Sequence, residues 1–123
     1  MTVEELYNAI GGNYAEAKER LMSDSIISKF IVKFLADKSY EELISAYLAG
    51  DDKKSFAAAH TLKGVSANLA ITSIAVIVHE ITEYFRPGRE DLRAGTDIGG
   101  LIESLKLQYE KCAVLINEFA AQG

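Results

Sequence analysis

The sequence predicts an all-α fold: an antiparallel, up-and-down four-helix bundle with additional helices at its N-terminal end. Three observations carry that expectation. Apolar residues recur at helical spacing through almost the whole chain, with no sustained alternation of period two. Pro87 is the single proline. Most stretches that interrupt the helical pattern are short, so consecutive helices must turn back on one another.

Each element has its own signals. TVEELYNAI opens with Thr2 and Glu5 at capping-box spacing and stops at Gly11-Gly12. NYAEAKERLM reads as a second short helix, from a cap near Asn13 to about Met22. Both look weakly amphipathic, so residues 1–23 are expected to form a helical extension and residues 24–123 the bundle of one domain. In SDSIISKFIVKFLA, the residues Ile26, Ile27, Phe30, Ile31, Phe34 and Leu35 share one wide apolar stripe, and this helix is expected to cover one end of the bundle.

The four bundle helices follow. SYEELISAYLAG carries Ser39 and Glu42 at capping-box spacing, an apolar face of Leu43, Ile44, Tyr47 and Leu48, and a stop at Gly50. The next helix starts near Asp51 or Asp52, whose carboxylates suit a helix N-terminus, and ends around Leu69 to Ile71. Thr72 is expected to cap the third, with Ile74, Ile77, Val78, Ile81 and Phe85 facing inward. RPGREDLRAGTDIGG is the longest irregular connection, with a helical turn at Glu90 to Arg93. The last helix, from Ile98 or Leu101 to about Ala120, aligns Leu101, Leu105, Tyr109, Cys112, Leu115, Ile116 and Phe119 along one seam.

Composition narrows the function classes. With 49% hydrophobic and 25% charged residues, the chain fits neither disordered nor fibrous classes. A formal net charge of -5 argues against nucleic-acid binding, which needs clustered Lys and Arg, and favours a protein partner. The lone Cys112 cannot form an intramolecular disulfide and reads as a buried thiol, consistent with a reducing cytoplasm. MTVEELYN is acidic and polar, unlike a secretory signal, and ANLAITSIAVIV is too short and too interrupted to span a bilayer. The expectation is a cytoplasmic protein without membrane association. It is expected to be a monomer, because no apolar seam is left spare beyond the bundle.

The chemistry concentrates in FAAAHTLKGVSANL, Phe56 to Leu69. At about 100° per residue, Ala59, Leu62, Ser66 and Leu69 form the core face of this helix, and His60 lies roughly 150° from its centre. The imidazole therefore projects outward, ringed by Phe56, Ala57, Lys63, Gly64 and Ala67, with Lys53 a turn further back. Outward helical positions normally carry long charged side chains; small and apolar ones here leave access for another protein. Glycine inside a helix costs about 1 kcal/mol relative to alanine, so Gly64 needs a reason, and clearance one turn from the imidazole supplies it. Lys63 brings a cation that favours the neutral, nucleophilic ring and can hold an anionic phosphoryl group. An exposed nucleophile, an adjacent cation and a cleared approach fit phosphoryl transfer through a phosphohistidine.

At these residues the sequence resembles histidine-containing phosphotransfer (HPt) domains, whose signature His-x-Leu-Lys-Gly-x-Ser or Ala, preceded by alanines, is matched in order and spacing by AAHTLKGVSANL. The resemblance runs from Ser25 to the C-terminus, and the front piece looks like an extension found on some free-standing bacterial members. It implies a four-helix bundle with His60 as phosphoacceptor, Lys63 stabilising the phosphoryl group and Gly64 giving clearance, while Leu62 and Ser66 serve packing. Lys53, Phe56, Ala57 and Ala67 would then contact the partner. The chain departs from the family at Ala70, where many members have glycine. Family members relay phosphoryl groups between receiver domains, or from a sensor kinase to a response regulator. The implied partners are thus response-regulator receiver domains and a (hybrid) sensor histidine kinase, with Mg²⁺ bound by the receiver and no cofactor on the chain itself. A Gly-rich nucleotide loop and room for a kinase domain are both missing, so the chain reads as a carrier without its own kinase activity.

Other readings fit less well. A phosphate-independent scaffold that docks or sequesters receiver domains would keep the patch around Phe56 and Ala57 but would not need His60. A metal or haem bundle would need His60, His79 and Cys112 to converge, yet His60 and Cys112 face opposite ways, His79 falls on the outer side of its helix, and no Glu-x-x-His pattern occurs. Covalent catalysis finds no serine or cysteine at a spacing that His60 could activate.

Overall fold

A computed structural model describes residues 1–122. Thr2 caps the first helix, α1 (Val3–Ile10), through the expected box: its hydroxyl accepts from the Glu5 amide while the Glu5 carboxylate accepts from its own amide. The remaining α-helices are α2 (Tyr14–Leu21), α3 (Asp24–Phe34), α4 (Ser39–Leu48), α5 (Asp52–Asn68), α6 (Thr72–Phe85) and α7 (Ile98–Ala121), with a 3₁₀ turn at Glu90–Arg93. No strand occurs among the described residues. Asn13, Ser23, Asp51 and Asp97 each cap the following helix with a side-chain oxygen.

α5 packs between α4 and α6, and α6 packs on α7. The rings of Tyr40 on α4 and Tyr109 on α7 stack in parallel, 3.8 Å between centroids, so the last helix also touches the first of these four. The core combines Leu43, Leu62, Ile74, Val78, Ile81, Ile102, Leu105 and Ile116, all nearly or fully excluded from solvent. Fully burying an aliphatic side chain of this size contributes roughly 1.5–3 kcal/mol.

The N-terminal helices depart from expectation. α1 is strongly amphipathic: Val3, Leu6, Tyr7 and Ile10 fall at i, i+3, i+4 and i+7, and all four are buried in the same core. Its end is tied to the turn between α5 and α6. The Tyr7 hydroxyl donates to the Leu69 carbonyl at 2.7 Å, the Asn13 amide to Ala70 at 2.9 Å, and the Ser73 amide to Gly11 at 3.0 Å. α7 joins this knot, because the Gln108 amide donates to Ile10 and Ser73, beside the buried Cys112. Burial pushes the Cys112 thiol up from its ordinary pKa.

Smaller corrections have local causes. Ser39 does not cap α4: both its amide and its hydroxyl bond to the Asp37 carboxylate, leaving Lys38 at the cap without a side-chain bond. Thr72 is the first residue of α6 rather than its cap, and the start of that helix is held by the bonds from Ser73 to Ile10 and Gly11. The stripe on α3 is narrower than expected, with Ile27, Ile31 and Phe34 buried but Ile26 and Phe30 each 42% exposed. Leu48, at 73% exposure, does not join the inner face of α4.

Candidate functional site

The candidate site residues lie on the outer strip of α5. Ser55, Ala58, Ala59, Leu62 and Ser66 are buried, while Lys53, Ala57, His60, Gly64 and Ala67 are exposed, so the helix faces are those read from the sequence. The sequence forces this arrangement: alanines and serines let α5 approach its neighbours closely, and the polar and small residues left over fall on one outward strip. The Ser66 hydroxyl is satisfied within the helix by the Leu62 carbonyl at 2.7 Å, so it serves packing.

No protein group among the described residues hydrogen-bonds the His60 imidazole. The ring instead stacks on Phe56, one turn earlier, with centroids 5.8 Å apart and planes inclined by 22°. Phe56 is half-buried and belongs partly to the core, which the reading of it as a surface contact missed. Lys63 is also half-buried, and among the described residues its ammonium makes no ion pair within 4 Å. A Cβ on Gly64 would meet nothing within 4 Å, so nothing in the chain's own packing requires a glycine there.

Two residues of α6 and its C-cap complete the surroundings, and neither was singled out from the sequence. The Arg86 guanidinium makes two bonds to the Glu83 carboxylate, 2.8 and 2.9 Å, and its carbon lies 5.3 Å from the Phe56 ring centroid. The bonds from Arg86 hold the Glu83 carboxyl below the usual carboxylate range, with smaller contributions from His79 and Lys63. The i, i+3 spacing of Glu83 and Arg86 was the available signal, but it shows an ion pair and not its position against α5.

The flanks are distinct. On the side of α4, Ala57 and Thr61 line a groove of about 880 Å³ whose far wall includes Glu41 and Glu42. At the C-terminal end of α5, Arg20 from α2 donates to the Ala67 carbonyl. His79 is exposed and lines a separate groove between α6 and the start of α7. Among the described residues, no group of three or more His, Cys, Asp or Glu side chains is placed to hold a metal ion, and no helix is long and apolar enough to cross a membrane.

The Hpt domain family matches residues 35–112, which takes in α4, α5, α6 and the first part of α7 and leaves α1 to α3 outside. Curated proteins and solved structures give no match to the chain. The matched span is more than half of the 123 residues and contains the whole outward strip of α5. The chain therefore belongs to the Hpt domain family, the phosphocarriers of two-component phosphorelays.

Proposed function

We propose that His60 is the phosphoacceptor of this carrier and that it exchanges phosphoryl groups with aspartates of receiver domains. The observation that carries the reading is an exposed imidazole without internal bonds, beside a helical glycine whose missing side chain serves nothing inside the protein. On this reading the chain is one domain, with residues 1–23 as its N-terminal extension and residues 24–123 as the bundle region, in which α4 to α7 form the antiparallel, up-and-down four-helix bundle and α3 covers one end.

The transfer step follows from the groups present. A lone pair on the outer Nε2 of the neutral His60 ring attacks the phosphorus of an aspartyl phosphate in line. The N–P bond forms as the P–O bond to the carboxylate breaks, the aspartate leaves as a carboxylate, and the ring keeps its Nδ1 proton. Lys63 steadies the phosphoryl charge, and Gly64 leaves room for the incoming domain. Lys53, Phe56, Ala57 and Ala67 hold the partner in register. The receiver brings the Mg²⁺, and the chain itself holds no cofactor. The partners are response-regulator receiver domains and a (hybrid) sensor histidine kinase, met in the cytoplasm by a monomeric carrier that has no kinase activity.

The test is intact mass after treatment with phosphoramidate, a small phosphoryl donor, beside His60→Gln. One acid-labile phosphoryl adduct on the wild type and none on the variant is the expected result. An adduct of equal yield on the variant would falsify the assignment of His60.

A further inference from the structure

An exposed helical side chain ordinarily samples several rotamers, and a phosphoryl acceptor is effective only while its lone pair points at the donor. Among the described residues His60 has no hydrogen-bond partner to hold it, yet its ring is not free of contact. Phe56 lies four residues earlier on α5, where side chains of one helix meet, and the two rings are offset-stacked at 5.8 Å and 22°. Phe56 is half-buried, so its own position is set by packing. It is also held from α6: the Arg86 guanidinium carbon stands 5.3 Å from the Phe56 centroid. Arg86 in turn cannot swing freely, because Glu83 grips it with two charge-assisted bonds. The end of α6 fixes where this pair sits, since Pro87 disfavours continuation of the helix past Arg86.

We infer that Phe56 is a positioning residue for the phosphotransfer reaction, holding the His60 imidazole in one orientation, and that the Glu83–Arg86 pair holds Phe56 from the neighbouring helix. The inference rests on His60 being the phosphoacceptor. It gives Phe56 a task distinct from touching the partner, and it gives an ion pair at the end of α6 a reason to lie against α5. Restricting a side chain to one of about three staggered wells raises the fraction of productive orientations about threefold, which sets the size of the effect.

The histidine content makes the test direct, because His60 and His79 are the chain's only two histidines and both are exposed. Ring carbon-bound protons of both are followed by NMR in the free protein, and charging by phosphoramidate is timed on the same samples. This donor is too small to dock on Phe56, so loss of a partner contact does not enter. In the wild type the Phe56 ring current should move the His60 ring protons upfield of those of His79. Phe56→Leu should bring them to the positions of an unstacked histidine, leave His79 unmoved and slow charging about threefold. Phe56→Tyr should restore both readouts, and Arg86→Gln, a change outside α5, should move both part of the way.

His60 ring shifts that are the same in Phe56→Leu as in the wild type overturn the inference. So does a charging rate that stays unchanged when the shifts collapse. Failure of the carrier reading looks different: the wild type takes no phosphoryl group, or His60→Gln still takes one. That outcome removes the positioning role while leaving the stack visible in the spectra.

Discussion

Two glycines lie at the ends of a useful contrast. At Gly64, a Cβ would meet nothing within 4 Å; at Gly12, it would stand 2.6 Å from the Tyr7 ring and 3.0 Å from the Ala70 carbonyl. One glycine clears space outside the protein and the other clears space within it. A glycine in a helix or turn thus marks an external approach only where its own fold leaves the position empty. The contrast gives the largest stability difference expected in this molecule. Gly12→Ala must push Tyr7 off its seat between α1 and α5, and overpacking of this kind costs about 2–3 kcal/mol, a fall in Tm on the order of 10 °C. Gly64→Ala should instead gain about 0.5–1 kcal/mol, because alanine is the better helix former and nothing opposes it. Thermal unfolding of the two variants side by side decides it; equal losses would erase the distinction. Gly64→Gln sharpens it further, since that protein should stay folded and still accept phosphoryl groups from phosphoramidate while receiver domains charge it more slowly.

The sequence made one of these two regions legible and not the other, for a physical reason. Everything needed to place His60 is local: a helical phase, a motif within a few residues, and small side chains around it. The Gly11-Gly12 joint is assembled from bonds that span 57 to 98 residues, to the Leu69 and Ala70 carbonyls, Ser73 and Gln108. Locally it reads as a helix stop and nothing more. The same limit hid Arg86, whose role depends on where the end of α6 falls against Phe56 on α5. Capping at Ser39 failed differently. The spacing was right, but a charged acceptor two residues upstream, Asp37, took both the amide and the hydroxyl. Helix existence was readable throughout because apolar periodicity is strong; the width of a buried face was not, as the exposed Phe30 and Ile26 show.

The closed region also carries a pH signature, at Tyr7. Burial pushes the Tyr7 phenol up from 10.0 to about 12, while in the unfolded chain it ionises at its ordinary value. The proton is held in the folded state, so the contribution of Tyr7 is complete below pH 10 and is lost between about pH 10 and 12, at up to roughly 1.4 kcal/mol per pH unit. Tyr7→Phe leaves the Leu69 carbonyl without its 2.7 Å donor and should cost about 1–1.5 kcal/mol at pH 7. The same variant has no phenol to ionise. Urea titrations at pH 7 and pH 11 should therefore show the gap between wild type and variant closing at the higher pH. A gap that stays constant would mean that Tyr7 is less sealed than its packing indicates.

The smallest expected effects separate backbone strain from burial. Among the described residues, two other than glycine have positive φ: Met22 at +73° and Ala70 at +55°. Such a conformation costs an L-residue roughly 1–2 kcal/mol, which glycine avoids. The family glycine at the Ala70 position now has a structural explanation, since the turn from α5 into α6 is left-handed there and this chain keeps the turn with an alanine. Glycine should not help equally at the two sites. Met22 is 76% exposed, so Met22→Gly relieves the backbone without removing buried surface and should stabilise by about 1 kcal/mol. Ala70 is only 3% exposed, and losing its methyl forfeits about 0.8 kcal/mol of burial, nearly all of the relief. Ala70→Gly should therefore stay within about 0.5 kcal/mol of wild type by urea denaturation. If Ala70→Gly gained as much as Met22→Gly, the alanine methyl would be contributing nothing to the joint that α1 makes with α5, and the tight packing around Gly12 would have to rest on Tyr7 alone.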